Sequence, residues 1–276
     1  MSGDITEKIE RFKRLHENTF VIPNPWNAGT ARILTALGFK ALATTSAGYA
    51  FSVGKRDSAG GLSRDEVLDN AREIVEATDL PVSCDLENGF GHSPEACART
   101  IMDANRVGLI GGSIEDATGD SNSPIYEFEH AVERIVAASE AATGLPFLLT
   151  ARAENFLHGR SDLDDTIKRL QAFEEAGADV LYAPGLPDLD AIRDVCKSVA
   201  KPVNVVMGLG GPQYSVEQLH DAGVKRISVG GSFARAALGG FVRAANEVME
   251  YGTFEYATDA IPDAVASGFM ADTIPE

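Results

Sequence analysis

Positive charge is scarce in this chain. Its 276 residues carry 24 Lys and Arg against 41 Asp and Glu, a formal net charge of −17. A surface of that sign repels the phosphates of nucleic acid and anionic lipid, so neither is an expected partner. Cysteine is nearly as sparse. Cys84, Cys97 and Cys196 are odd in number and scattered, which gives no disulfide framework and no metal-ligand spacing. They read as reduced thiols. The five histidines, His16, His92, His130, His158 and His220, share no ligand spacing either. No apolar run approaches the ~20 residues of a membrane span, and Met1 to Lys13 are charged and polar without the apolar centre of a signal peptide. No stretch is rich in Pro and Ser or low in complexity, so nothing marks an interdomain linker. These absences leave a soluble cytoplasmic protein with no membrane partner. Its 44% hydrophobic residues are enough for one large core, and one domain over 1–276 is expected.

What is present is a strand-then-helix alternation. The candidate strands are short, apolar and bounded by Gly, Pro or Asp: Thr19–Ile22, Ala41–Thr44, Val82–Asp85, Gly112–Glu115, Phe147–Ala151, Val180–Tyr182, Val203–Val206 and Arg226–Val229. Amphipathic segments separate them. Ser63 and Glu66 form a capping box, in which each side chain satisfies the other residue's free amide. Val67, Leu68, Ala71, Ile74 and Val75 then follow at helical spacing. Ser93-Pro94 is an N-cap with proline at the first helical position, and Ser215 with Gln218 repeats the capping box. Leu163, Ile167, Leu170 and Phe173 stripe another helix, which Gly177 ends in a left-handed cap. Eight alternations at this length predict a closed (β/α)8 barrel of the TIM type. The alternative is an open doubly wound sheet, but no G-x-G-x-x-G follows the first strand. Residues 232–276 exceed what a barrel needs and form a helical extension.

In such a barrel the site is built at the C-terminal ends of the strands. Strand three runs into Cys84-Asp85-Leu86-Glu87-Asn88-Gly89-Phe90-Gly91, and alternation aims Asp85 and Glu87 into the mouth together. Strand four ends in Glu115-Asp116, strand five in Arg152-Ala153-Glu154, and Asp57 follows strand two. Carboxylates that converge this way need protons or a cation, and oxygen-only ligands suit Mg2+ or Mn2+. The competing reading makes Asp85 and Glu87 a solvated strand end, and Asp57 part of the surface run Lys55-Arg56-Asp57. Asp116 points away from Glu115, which leaves structural hydrogen bonding as open as a metal role. Arg152 either grips a substrate carboxylate with two parallel bonds or pairs with Glu154. The small residues Ser46, Ala47 and Gly48 offer backbone amides to an anionic oxygen. The glycines of 208–211 and 230–231 suit phosphate binding or plain turns alike, and Trp26 packs near the first strand's mouth.

These elements resemble the isocitrate lyase/phosphoenolpyruvate mutase superfamily. The resemblance is carried by Asn24-Pro25-Trp26-Asn27-Ala28-Gly29, Thr45-Ser46-Ala47-Gly48, Asp85-Leu86-Glu87-Asn88-Gly89-Phe90-Gly91, Ile114-Glu115-Asp116 and Ala151-Arg152-Ala153-Glu154, in order from about residue 10 to about residue 245. It implies a (β/α)8 barrel that exchanges a C-terminal helix between subunits, in a homotetramer built as a dimer of dimers. It implies Mg2+, with Mn2+ as a substitute, and a small 2-oxo or 2-hydroxy acid cut through a pyruvate-type enolate. Asp85 matches the main metal ligand. Glu87 and Glu115 match acids that hold the metal directly or through water, and Asp57 another acid of that network. Ser46, Ala47 and Gly48 match the loop that binds the substrate's oxyanion, with Trp26 beside it, and Arg152 matches the arginine on its oxygen-rich end. Arg152, Glu115 and Asp57 are the implied catalytic residues.

Two departures shape the expected activity. The stretch Ala117-Thr118-Gly119-Asp120-Ser121-Asn122-Ser123-Pro124 lacks the Cys, Lys and His that family lyases acting on isocitrate or methylisocitrate carry in their gating loop. It also lacks the lysine of the phosphonate-handling mutases. Glu87 stands where most members have Asp. The expected enzyme is therefore a Mg2+-dependent carbon–carbon lyase whose loop 116–126 closes over substrate without donating a proton. The alternatives are an oxaloacetate decarboxylase, a phosphonopyruvate hydrolase-like enzyme, or a non-catalytic barrel that binds 2-oxo acids. The apolar stripe Phe233, Ala237, Phe241, Ala244 and Val248 is expected to pack on a partner subunit.

Overall fold

A computed structural model describes residues 5–57 and 60–271. The first four residues of the expected 1–276 domain and the last five of the 232–276 extension lie outside the described residues. The chain opens with α1 (Ile5–Leu15), then alternates β1 (Phe20–Ile22), α2 (Ala28–Ala36) and β2 (Leu42–Ala43). Next come α3 (Ser46–Ser52), α4 (Arg64–Glu76), β3 (Val82–Asp85), α5 (Pro94–Arg106) and β4 (Gly111–Glu115). The second half runs α6 (Phe128–Ala142), β5 (Leu148–Arg152), α7 (Leu163–Glu175), β6 (Val180–Tyr182), α8 (Leu189–Ser198) and β7 (Val203–Val206). It finishes with α9 (Val216–Asp221), β8 (Arg226–Ser228), α10 (Ser232–Tyr251) and α11 (Asp263–Phe269). The eight strands expected from sequence are these eight, displaced by one residue at some ends.

All pairings are parallel, in the order β1-β8-β7-β6-β5-β4-β3-β2. The sheet is a nearly closed barrel with helices between its strands. The seam between β1 and β2 carries no ladder, but Ala43 N–H donates to the Pro23 carbonyl across it at 3.0 Å. Asn24 reinforces the join. Its Nδ2 donates to the Thr44 carbonyl at 2.9 Å, while its Oδ1 accepts from the amides of Val229 and Gly230, each at 2.9 Å. One buried side chain thus ties together the ends of β1, β2 and β8.

The helices start where their caps predict. Both capping boxes form, at Ser63–Glu66 and Ser215–Gln218, and a third at Asn27–Thr30 opens α2. Ser93 caps α5 ahead of Pro94, and Gly177 follows α7 at φ 98°. The main core lies between the barrel and its helix ring, with fully buried Leu42, Ile74, Leu109, Ile114 and Leu149 among its members. At the other end α1 plugs the barrel. Its Ile9 and Phe12 pack against Ile22, Ala41, Ile110 and Leu148. After β8 the chain leaves the barrel: Ala234 is the one buried residue of α10, and Phe241 is 71% exposed. The expected stripe is therefore not covered by the chain's own barrel. α11 returns to α2, where Arg32 Nη1 donates to the Met270 and Ala271 carbonyls. Among the described residues no helix is long and apolar enough to cross a membrane.

The plug contains one titratable group. His16 is buried, its Nδ1 donating to the Phe12 carbonyl at 2.9 Å, with the rings of Phe12 and Phe20 edge-on around it. Burial first, and the nearby Arg226 charge second, pull its pKa down to about 3. A base whose pKa falls on folding binds fewer protons folded than unfolded, so stability drops as pH falls below ~6.5. The stability lost by wild type between pH 7 and pH 5 should exceed that lost by a His16→Gln variant by about 2 kcal/mol. Urea unfolding of both proteins at the two pH values measures the difference.

Candidate active site

The barrel mouth opens into a cavity of about 410 Å³ bordered by the C-terminal residues of seven strands, Asp85, Arg152 and Tyr182 among them. Arg152 organises it. Its Nη1 lies 3.0 Å from Asp85 Oδ1, its Nη2 3.1 Å from Glu115 Oε2 and its Nε 2.8 Å from Glu154 Oε1. The strand register brings these groups together: Arg152 pairs with Glu115 and Asp85 with Ser113, so β3, β4 and β5 deliver their ends side by side. Of the two sequence readings of Arg152, the pairing with Glu154 is observed, and the residue also lines the cavity. Burial opposes its charge, but Glu154, Glu115 and Asp85 more than offset that and hold its pKa well above the usual value. Burial likewise pushes the Glu115 carboxyl up, against Arg152. The Tyr182 ring lies under the guanidinium, 5.0 Å from centroid to Cζ.

Ser46 and Ala47 line the cavity in the first turn of α3, and Ser46 Oγ donates to Asp85 Oδ2 at 2.9 Å. Amides in a first turn have no acceptor within their own helix, so those of Ser46 and Ala47 are available to an anion. Gly48 departs from expectation. Its N–H donates to the Thr45 side chain that caps α3, and it does not border the cavity. Glycine is required there for packing: a Cβ would sit 2.7 Å from Thr45 Cγ2 and 3.1 Å from Trp26 Cβ. Trp26 is likewise a packing residue beside Gly48, not a cavity wall.

Asp57 lines the cavity as expected. Desolvation at the mouth first, and then the Asp85 charge, raise its carboxyl above the usual value. Glu87 is the larger correction. Alternation fails because β3 stops at Asp85 and Glu87 turns into the left-handed region at φ 47°. It borders a second, more open depression with His92, Thr118 and Asp120. Burial first, then Asp85 and Asp57, push its carboxyl up to about 7. Asp116 proves structural, accepting from the Glu154 amide and from Arg169. The stretch 116–126 is a short hairpin: Ala117 bridges Ile125, and the Thr118 side chain and amide hold the Ser123 and Pro124 carbonyls.

Sequence reasoning missed the residues that reach in from elsewhere. Tyr182 was readable as the end of a strand. Arg226 and Asn204 line the inner part of the cavity, each a polar residue inside an apolar run. Arg134 of α6 is 1% exposed, and its guanidinium donates to the carbonyls of Asn88, Gly91 and His92, clamping the loop that carries Glu87. A loop with Glu87 and Phe90 both at positive φ stores strain and needs such a clamp. Replacing Arg134 with Met leaves three carbonyls unsatisfied and should destabilise the protein by about 3 kcal/mol, measured by urea unfolding.

The profile of the Phosphoenolpyruvate phosphomutase family matches residues 12–249. A solved structure from Burkholderia cenocepacia J2315, provisionally assigned as a lyase/mutase, is 55% identical, with a TM-score of 0.94 over 97% of this chain and 96% of that one. The 2-methylisocitrate lyase of Escherichia coli (strain K12) is 31% identical over 217 residues, covering 75% of this chain and 72% of the relative. The structure of a 2,3-dimethylmalate lyase of the same superfamily is 25% identical, with a TM-score of 0.86 over 96% and 95% of the two chains.

Proposed function

Because the chain belongs to the phosphoenolpyruvate phosphomutase family, we propose that it is a Mg2+-dependent carbon–carbon lyase. Its substrate is a small 2-oxo or 2-hydroxy di- or tricarboxylic acid, cut through a pyruvate-type enolate. Similarity to a 2-methylisocitrate lyase and a 2,3-dimethylmalate lyase supports the substrate class. The observation that carries the reading is the Asp85–Arg152 pair at the cavity mouth, with Ser46 on its other oxygen.

The donor set fits a hard divalent cation. It consists of carboxylate oxygens, and burial first, with the Asp85 charge second, raises the carboxyls of both Asp57 and Glu87, so a cation there would favour their charged forms. Among the described residues no three acids, histidines or cysteines already converge as a finished metal centre. Asp85 would hold the ion, with Glu87 and Glu115 contributing directly or through water. Mg2+, with Mn2+ as a substitute, would supply Lewis acidity toward the substrate's carboxylate and 2-oxygen.

The chain's own groups do the rest. Arg152 presents a planar fork to the oxygen-rich end of the acid, fixed in place by Glu115 and Glu154. The free amides of Ser46 and Ala47 meet charge as it builds on the 2-oxygen. The hairpin 116–126 covers the mouth and excludes water, and with no Cys, Lys or His between Ala117 and Pro124 it gates without giving a proton. A single water retained in the closed site then protonates the enolate. Assayed with Mg2+ on a panel of 2-oxo and malate-type acids, the protein should release pyruvate or a close analogue from at least one. Asp85→Ala should lose Mg2+ binding by calorimetry with an unchanged circular dichroism spectrum. Silence across the panel, or undiminished metal affinity in the variant, overturns the reading.

The extension belongs to the same proposal. Phe233, Phe241, Leu238 and Val242 of α10 are all exposed, more apolar area than one helix leaves in water without a partner. A second copy of the chain covers it, in a tetramer built from helix-exchanged dimers. Light scattering at micromolar concentration should give a multiple of 29.3 kDa. A monomer contradicts the assembly.

A further inference from the structure

A second cation lies inside the barrel, and the carboxylate cluster does not use it. Arg226 begins β8, is 6% exposed and lines the same cavity as Asp85 and Arg152. Its Nε donates to Asn204 Oδ1 at 2.8 Å and its Nη2 to Thr150 Oγ1 at 3.0 Å. Both acceptors are neutral. Among the described residues no carboxylate pairs with it, and the charge that supports its own is that of Tyr182. Burial pulls its pKa down to about 10, which leaves it charged at neutral pH.

The other buried arginines show what a purely structural guanidinium looks like here. Arg134 spends its donors on three carbonyls, and Arg169 pairs with Asp116 and Asp165. Arg226 keeps Nη1 without a protein acceptor among the described residues, and that atom is not sealed in the interior, so it opens onto the cavity. A buried, uncompensated positive charge is costly unless an anion joins it. Val206 and Met207 add apolar surface to the same cavity lining, which suits methylene groups, while Asn204 holds the guanidinium and Ser228 borders Asn204.

We propose that the inner end of the cavity is an anion subsite, in which Arg226, held by Asn204 and Thr150, receives a remote carboxylate of the substrate. The reacting end of the same molecule lies at Arg152 and Asp85; that half rests on the lyase reading. The subsite selects acids whose second carboxylate is carried on a carbon chain, and disfavours 2-oxo acids with one carboxylate.

The test needs no turnover. Calorimetry would compare straight-chain dicarboxylates from malonate to adipate with monocarboxylates of equal carbon number. One dicarboxylate length should bind at least tenfold more tightly than its monocarboxylate. Arg226→Gln should erase that preference. Asn204→Asp should erase it too, because it places a carboxylate against the guanidinium while removing no buried side chain, and it decides the matter if Arg226→Gln fails to fold. Preference retained in Asn204→Asp, or no preference in wild type, overturns the subsite. Arg226-dependent dicarboxylate binding with a silent activity panel would refute the lyase and keep the subsite. Turnover with equal kcat/KM for mono- and diacids, unchanged in Asn204→Asp, would do the reverse.

Discussion

One guanidinium shared among three carboxylates governs the barrel mouth. Arg152 reaches Asp85, Glu115 and Glu154 with separate nitrogens; Asp85 ends β3, Glu115 ends β4, and Glu154 lies just beyond Arg152's own strand. Remove the fork and three carboxylates face one another in a half-dry pocket. A lysine would supply the charge but not the geometry, because an ammonium cannot direct bonds to three fixed points at once. The arrangement exists because β3, β4 and β5 are adjacent and parallel with staggered ends, so barrel topology and site electrostatics form a single constraint.

Much of this was legible in the chain. Val82–Asp85, Val180–Tyr182 and Val203–Val206 are bounded by Pro, Asp or Gly, and their strands match those limits residue for residue. The site residues that strand ends deliver directly, Asp85, Glu115 and Arg152, were readable for the same reason. Glu87 was misplaced because period-two alternation holds only while the backbone stays extended, and here it turns left-handed two residues past the strand. The packing of Trp26 was readable, but Gly48 was misplaced because its approach to Trp26 depends on how two loops meet, which spacing does not encode. Asn24, Arg134 and Arg226 act across long separations in the chain, and only closure of the barrel reveals what they touch.

Cations are few, yet Arg134, Arg152, Arg169 and Arg226 are all turned inward or into the mouth. Their partners Asp85, Glu115, Glu154 and Asp116 are drawn inward with them, so water still meets a strongly negative surface. An anionic substrate approaching such a molecule is repelled by the exterior and attracted only within the cavity, where the arginines are partly desolvated and act over short range.

The seam of the barrel has a consequence for which residues position 24 can accept. Its side chain must donate once to Thr44 and accept from the amides of both Val229 and Gly230, at a reach set by one methylene. Aspartate has the reach and the acceptors but no donor. Glutamine has the chemistry but extends one carbon too far, and serine stops short. The tripeptide Pro23-Asn24-Pro25 is thus a joint with a single chemical solution, and tolerance to substitution there is set by closure of the cylinder rather than by the reaction at its mouth.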